Sequence, residues 1–404
     1  MRHSDDRRLR VAIVTTSFPV VEHASGIFVA RLAGALAEHV SLEVITPAGT
    51  KRGIADWHGI PIHAIRYAPW RCQKLAHAPG GIPVALRHRP SLYLLLPIFL
   101  AAMFWACLRR ARNFDLFHAN WVPVGLCAGI VGKFMHVAVV TTVRGEDAAR
   151  IASSWGQRGM MRACVHLSRY VVCVSEAMAA EMKTMFPENA SKFLYIPNGI
   201  GSDFSDVGRE EEHEKQNKNM LTLIVVGSLI PRKCVDVAIN AVARILRQSC
   251  DGVRLIVVGD GPEAARLRQQ VDELDLRGKV EFRGAIPPED VPAQFFGVDA
   301  MLLCSTSEGR PNAVLEGMAA GLPIIATDIP GVRELIQPEQ EGLLFPTSDI
   351  VALSTQIQRL QCDPQLRKRM SVAARDRVRE LGLTWESAAA QYAEAYATAV
   401  VSGT

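Results

Sequence analysis

The sequence predicts an α/β chain made of two doubly wound parallel-sheet halves. Three observations predict it. Short, continuous apolar runs alternate with helical stretches through the first half of the chain. A charged stretch without apolar period then interrupts the pattern, and the same alternation restarts after it. Continuous apolar runs mark strands buried on both faces, and their alternation with helices marks a parallel sheet covered on both sides. A length of 404 residues suits two domains of ordinary size.

Residues 9–15 (LRVAIVT) open the first half as a buried strand. The loop SFPVVEHASG leads into a helix expected over 27–38, and 42–46 is a second strand. Residues 114–118 form another strand, followed by a helix around 125–134, and 137–143 and 170–174 continue the series. The polar run GREEEHEKQNKN within 201–220 reads as a linker. The second half restarts with LTLIVVG, then VRLIVVGDG, KVEFRG, 299–304 and 323–327 as strands, with helical periods over 235–247 and 263–274. The expected division is therefore 1–200, a linker 201–220, a second domain 221–384, and a final segment 385–404. Ligands of such sheets bind at the carboxyl ends of strands, and two halves facing each other would leave a cleft for a small molecule.

Composition narrows the function classes. With 49% hydrophobic and 21% charged residues the chain has enough apolar matter for well-filled cores. A net charge of +4 favours anionic partners such as phosphates or lipid head groups and is too small to argue for nucleic acid. Nine cysteines, none in a Cys-x-x-Cys pair, read as reduced thiols of a cytoplasmic protein. Residues 1–8 are polar and 9–15 is too short for a secretory signal core. Residues 92–108 (LYLLLPIFLAAMFWACL) are apolar throughout and end at Arg109, Arg110 and Arg112. Three readings stand open: a buried helix of the first domain, a helix lying in the inner surface of the cytoplasmic membrane, or a short membrane span.

The densest chemical signal is 307–335, SEGRPNAVLEGMAAGLPIIATDIPGVREL. Pro311 suits the first turn of a helix, whose apolar face is Val314, Leu315, Met318 and Ala319. Glu308 then lies on the loop before the helix and Glu316 about a turn and a half inside it. The N–H groups near Asn312 and Ala313 point out of the helix start, ready for a phosphate. A carboxylate on either side of this anion cradle offers acceptors for sugar hydroxyls. Without further context, two such glutamates read as a helix cap, Glu308, and a surface residue, Glu316.

This stretch closely resembles the signature of glycosyltransferase family 4, E-G-x-P-x-x-x-L-E-[AG]-M-A-x-G-x-P-[VI]-I-[AG]-T followed by a glycine loop and a glutamate. The match runs through Glu308, Gly309, Pro311, Leu315, Glu316, Met318, Gly321, Pro323, Thr327, Gly331 and Glu334. The segment 225–236 (VVGSLIPRKCVD), with Gly227, resembles the family's V-G-R-L-x-x-x-K-G-x-D, although Ser228 stands for the usual Arg and Cys234 for the usual Gly. VVGDGPE resembles the family's G-x-G-P turn, and FRGAIPPEDVPAQF the loop where Gly284 and Ile286 would read the base. IPNGI at 196–200 resembles the turn ending the first domain.

The resemblance implies the GT-B fold, two Rossmann-like domains facing a cleft, and a retaining glycosyltransferase with a nucleotide diphosphate sugar as donor substrate. It implies that Arg232 and Lys233 hold the diphosphate, that Glu308 holds the transferred sugar and Glu316 the ribose, and that Gly309, Arg310, Pro311, Asn312 and Ala313 line the donor. Two cations aimed at the leaving phosphate stabilise the transition state more than the ground state. Gly26 starts the N-terminal helix, where a donor phosphate or acceptor could approach bare backbone. His118, at the carboxyl end of a strand, corresponds to a histidine that faces the donor sugar in relatives. TTVRGEDA places Arg144 where many relatives have histidine; it is a candidate contact to an anionic acceptor or the donor phosphate, or an arginine paired with Glu146 or Asp147. The final helix crosses back onto the first domain in relatives. No Asp-x-Asp occurs in the chain, so protein cations are expected to replace a metal, and no cofactor is expected.

The implied activity is transfer of a sugar from a UDP- or GDP-linked donor, by front-face attack with retention, to a lipid-linked sugar or growing glycan, as in cell-surface polysaccharide assembly. Two alternatives remain: a catalytically silent nucleotide-sugar-binding subunit at the membrane, and a sugar-nucleotide epimerase or phosphorylase on the same fold.

Overall fold

The computed structural model describes residues 8–19, 26–50, 54–76, 81–144, 155–201, 203–204, 220–248 and 252–401. The chain divides into two compact units, Met1–Gly199 with Thr384–Thr404, and Ile200–Leu383. Nearly all of the expected linker 201–220 lies outside the described residues.

The first unit runs β1 (Arg10–Val14), α1 (Ile27–Leu36), β2 (Ser41–Pro47), β3 (Asp56–Trp57), β4 (Ile60–Ile65), α2 (Gly81–His88), α3 (Leu96–Arg110), β5 (Leu116–Asn120), α4 (Val122–Met135), β6 (Ala138–Val143), α5 (Trp155–Leu167), β7 (Tyr170–Cys173), α6 (Glu176–Met185) and β8 (Phe193–Tyr195). Its sheet has the order β3-β4-β2-β1-β5-β6-β7-β8, parallel except for the β3–β4 pair. In β1, Val11 and Ile13 face one apolar cluster while Ala12 and Val14 face another. That two-sided burial is why the strand reads as an unbroken apolar run. The order reverses between β1 and β5, the switch point where loops from adjacent strands diverge.

The second unit runs β9 (Leu221–Val226), α7 (Val235–Arg247), β10 (Val253–Val258), α8 (Ala264–Glu273), β11 (Val280–Gly284), β12 (Ala300–Leu303), α9 (Asn312–Ala319), β13 (Ile324–Thr327), α10 (Pro330–Arg333), β14 (Gly342–Phe345), α11 (Ile350–Cys362) and α12 (Pro364–Glu380). The six strands are parallel in the order β11-β10-β9-β12-β13-β14, with the switch point between β9 and β12. Leu221, Leu223 and Val225 pack on one side and Ile224 on the other. Asp349 and Asp363 cap α11 and α12 by accepting the N–H groups of Ala352 and Leu366.

The chain then returns to the first unit as α13 (Trp385–Val401). Ala388, Ala389, Tyr392, Tyr396 and Ala399 are buried there with the core of α1 and the central strands. Gly199 lies where the returning chain passes: a Cβ at that position would fall 2.2 Å from the backbone nitrogen of Trp385.

Candidate functional site

In the second unit the loops after β9 and β12 meet at the switch point. Gly227 ends β9 with φ +147°, and the turn Pro231–Lys233 follows. Cys234 is left-handed at φ +47°, a conformation that glycine takes without steric cost and cysteine does not. That accounts for the usual glycine of the family motif at this position. The loop after β9 is itself seated on a second one. A Cβ on Gly259 would fall 1.9 Å from the Gly227 carbonyl, and one on Gly261 2.4 Å from the Leu229 carbonyl, so both positions require glycine.

This loop aims two cations at one carboxylate. Lys233 Nζ lies 2.7 Å from Glu308 Oε1, and Arg232 Nη1 3.2 Å from Glu308 Oε2. Arg232 also donates to the Ser307 carbonyl, and its own carbonyl accepts from the Thr306 N–H. The Glu308 side chain is only 10% exposed. Burial pushes its carboxyl upward, but the charges of Lys233 and Arg232 outweigh that and hold it below the ordinary carboxylate value. Glu308 is thus a nearly buried anion at neutral pH, kept so by two cations.

Glu308 and Gly309 precede α9. Pro311 is its N-cap, and the helix's own hydrogen bonds begin with the N–H of Val314, so those of Asn312 and Ala313 point out of its start. Glu316, partly exposed, lies further along the helix. Gly331 closes the loop from behind, since a Cβ there would come within 2.5 Å of the Glu308 and Gly309 carbonyls. The Arg310 side chain turns into the protein, 2% exposed, with Nη1 3.9 Å from Glu334 Oε2. Gly284 has φ +73° at the end of β11, and its carbonyl accepts from the Gly259 N–H. Ile286 packs against the apolar cluster beneath the β12 side.

At the first unit's switch point the residues have different surroundings. Gly26 has φ +105°, and a Cβ would lie 2.4 Å from the Ser17 carbonyl oxygen. What approaches Gly26 is therefore the chain's own backbone. His118 is fully buried. Its Nε2 is 2.8 Å from Thr142 Oγ1 and its Nδ1 2.7 Å from Tyr396 Oη, while Thr142 Oγ1 is 2.9 Å from Tyr392 Oη. Burial, helped by the Arg144 charge, lowers the imidazole to about 3. Both ring nitrogens are thus engaged by groups of this unit, and the ring joins α13 to β6. Arg144 donates to Asn198 Oδ1 at 3.1 Å and Asn120 Oδ1 at 3.3 Å, with its guanidinium 4.1 Å above the Phe28 ring. Glu146 and Asp147, the partners expected for it, lie outside the described residues.

The structure therefore gathers Gly227, Arg232, Lys233, Glu308, Gly309 and the start of α9 at one switch point. Gly26, His118 and Arg144 belong to the other unit. Sequence reasoning missed Ser307, Asn120 and the role of Tyr396; nothing local in the sequence signals these partners.

Comparison with known proteins decides the family. Residues 25–204 match the model of Glycosyltransferase Family 4, and residues 208–377 match that of Glycosyl transferases group 1. The chain belongs to glycosyltransferase family 4. It is a glycosyltransferase of the GT-B type. Among its relatives is the N-acetyl-alpha-D-glucosaminyl L-malate synthase of Bacillus anthracis, 27% identical over 67% of this chain and 71% of that protein. The putative colanic acid biosynthesis glycosyltransferase WcaL of Escherichia coli is 35% identical over 36% of each chain. The crystal structure of Anabaena Alr3699/HepE in complex with UDP superimposes with a TM-score of 0.71, covering 96% of this chain and all of that one at 20% identity. At that identity the likeness concerns the fold. In this family 4 chain the two sheets hold the sequence motifs at their switch points, where ligands of doubly wound sheets bind.

Proposed function

We propose that this glycosyltransferase moves a sugar from a nucleotide diphosphate donor, UDP- or GDP-linked, to a lipid-linked sugar or growing glycan, with retention of anomeric configuration. The observation that carries the reading is the pair of cations, Arg232 and Lys233, held on Glu308 beside the start of α9. A diphosphate placed there meets Arg232, Lys233 and the outward N–H groups of Asn312 and Ala313. As the sugar–phosphate bond breaks, negative charge grows on the leaving phosphate, and these groups stabilise it where it develops. The same cations supply the countercharge for which other glycosyltransferases use a metal, so the reading is metal-independent. Glu308, already anionic and nearly buried, accepts from hydroxyls of the transferred sugar, and Glu316 accepts from the ribose. The acceptor hydroxyl attacks on the face the diphosphate leaves, and a departing phosphate oxygen takes its proton.

The protein named for UDP among the structural neighbours supports the donor class, and the colanic acid relative supports an acceptor in cell-surface polysaccharide assembly. Such an acceptor places the enzyme at the inner face of the cytoplasmic membrane, with peripheral contact through 92–112. Titration calorimetry with UDP and GDP, with and without EDTA, tests the donor site beside a Glu316→Ala control. Tight binding of one nucleotide, unchanged by EDTA and weakened in the control, supports the reading. Removing both Arg232 and Lys233 as alanines costs about 1.5–3 kcal/mol per lost charge-assisted bond, tenfold or more in rate for each. Near-normal transfer by that double variant sinks the proposal, and nucleotide binding without transfer to any acceptor makes the chain a silent subunit.

A further inference from the structure

We infer that the outer face of α3, with the basic segments at its two ends, is a docking surface for an anionic lipid bilayer. This deepens the peripheral-contact reading by naming the face and the lipid chemistry, and it rests on no step of sugar transfer.

The first observation is a charge asymmetry. The 58 residues between Asp56 and Asp115 hold no Asp or Glu and eight Lys or Arg. With 41 acidic residues in 404, a segment of that length would ordinarily hold about six. The segment carries +8 in a chain of net +4, so the rest of the molecule is net negative. The cations lie on both flanks of the apolar run: Arg87 and Arg89 before it, Arg109, Arg110 and Arg112 after it. All but the partly exposed Arg110 are solvent-exposed.

The second is the way the helix is seated. Phe99, Met103 and Cys107, one turn apart, are buried, and Phe99 packs edge-on against Tyr67 at 5.3 Å. On the outer face Leu94 is 79%, Ile98 52% and Trp105 51% exposed. Their spacings of four and seven residues align them in one stripe. Tyr93 is exposed beside them, and α4, packed against α3 through Cys127 and the Leu100 carbonyl, exposes Phe134 and Ile130. The Arg109 guanidinium lies 5.1 Å over the Trp105 ring.

The two observations together select the occupant. The helical stretch Pro90–Asn113 is long and apolar enough to cross a bilayer. Its inner face, Phe99, Met103, Cys107 and Ala111, is however buried in one core with Ala12, Val14, Ile45, Phe117 and Ala119 of the sheet, so a span would have to tear that core apart. A core helix does not leave this stripe in water. A helix lying at the interface buries such a stripe among acyl chains, keeps Trp and Tyr at head-group depth, and extends its arginines to lipid phosphates. The absence of any carboxylate over the whole segment removes the repulsion that an anionic surface would otherwise meet.

The test is sedimentation of the full chain with vesicles of phosphatidylcholine alone and of phosphatidylcholine mixed with phosphatidylglycerol, without donor or acceptor. The chain is expected to partition onto the mixed vesicles, much less onto the neutral ones, and to be released by salt. Arg109→Gln with Arg112→Gln should weaken partition roughly fivefold per arginine. Leu94→Ser with Ile98→Ser should weaken it at unchanged charge, and brominated acyl chains should quench wild-type tryptophan fluorescence more than that of Trp105→Phe. Circular dichroism checks that each variant is folded; all five substituted side chains are solvent-exposed, so none supports the core. Equal partition onto both vesicles, no partition, or unchanged binding of Leu94→Ser/Ile98→Ser overturns the inference. So does a concentration-dependent dimer that Ile98→Ser disperses, since the face would then join two copies. Because no substrate is present, failure of the transfer reading leaves this result standing, and the reverse holds too.

Discussion

Replacing Lys233 by methionine removes one of the two cations on Glu308 and keeps most of the volume of the side chain. The Lys233 ammonium is 2.7 Å from a carboxylate whose side chain is 10% exposed, and Arg232 remains at 3.2 Å. Loss of one charge-assisted bond to a carboxylate that stays buried costs about 2–3 kcal/mol. The cost depends on pH in a definite sense. In the wild type the Glu308 carboxyl titrates below its ordinary value, so its stabilising contribution is present above that value and is lost as pH falls through the folded one. In the variant, burial, the strongest single influence on this group, is no longer outweighed, and the carboxyl moves upward. The stability gap between the two proteins is therefore widest near neutral pH and closes as the carboxylate protonates, by up to about 1.4 kcal/mol per pH unit. Urea unfolding followed by far-ultraviolet circular dichroism, near pH 7.5 and near pH 4, measures both gaps. Equal gaps at the two pH values would refute the argument, because they would mean that methionine costs only packing.

Two further outcomes concern the first unit, which contains all six tryptophans, so their fluorescence reports on it. Gly26→Ala forces a methyl group to 2.4 Å from the Ser17 carbonyl at φ +105°, and should destabilise this unit by about 1–3 kcal/mol in urea unfolding; wild-type stability would show that the loop gives way. His118 stays neutral when folded down to about pH 3 and protonates near 6.5 when unfolded, so stability falls as pH drops across that window, by up to tenfold in the folding equilibrium per unit. His118→Gln should remove that slope, and an unchanged slope would assign it to other groups.

The legible and illegible parts of this chain divide by sequence separation. Strands such as β1 and β9 are readable because burial on both faces makes nearly every residue apolar, Arg10 and Thr222 excepted, and Gly227, Gly259 and Gly261 are readable because tight turns need them. β8 and β14 are only three and four residues long, too short for a periodic signal, and the β3–β4 hairpin sits at an exposed edge. In the site, the motif residues are recognisable as a set, but the ion pairs joining Arg232 and Lys233 to Glu308 span 76 and 75 positions. His118 shows the limit most clearly. Its place at the end of a strand suggests a ligand contact, whereas its ring is taken up by Tyr396, 278 residues away, on a helix that the strand pattern does not locate. The apolar run 92–108 was ambiguous for a related reason: which face of a helix is covered depends on what packs there, and hydropathy averages over both faces.

The Glu308 cluster has one more consequence for the proposed reaction. Without donor, Arg232 and Lys233 are spent on Glu308; a diphosphate brings more negative charge to the same two cations than one carboxylate does. If it draws them away, Glu308 keeps its burial and loses the charges that hold its carboxyl down, so its affinity for protons rises. Donor binding should then be accompanied by proton uptake, strongest at mildly acidic pH. By linkage, affinity for the nucleotide should increase as pH falls through that range. Calorimetric titrations in buffers of different ionisation enthalpy measure the protons taken up directly. Glu308→Gln cannot take one up, so its binding heats should be independent of this buffer effect while nucleotide still binds. Wild-type binding with no proton uptake near pH 5.5 would mean that the cations serve both anions at once, and that Glu308 meets the sugar with its charge still paired.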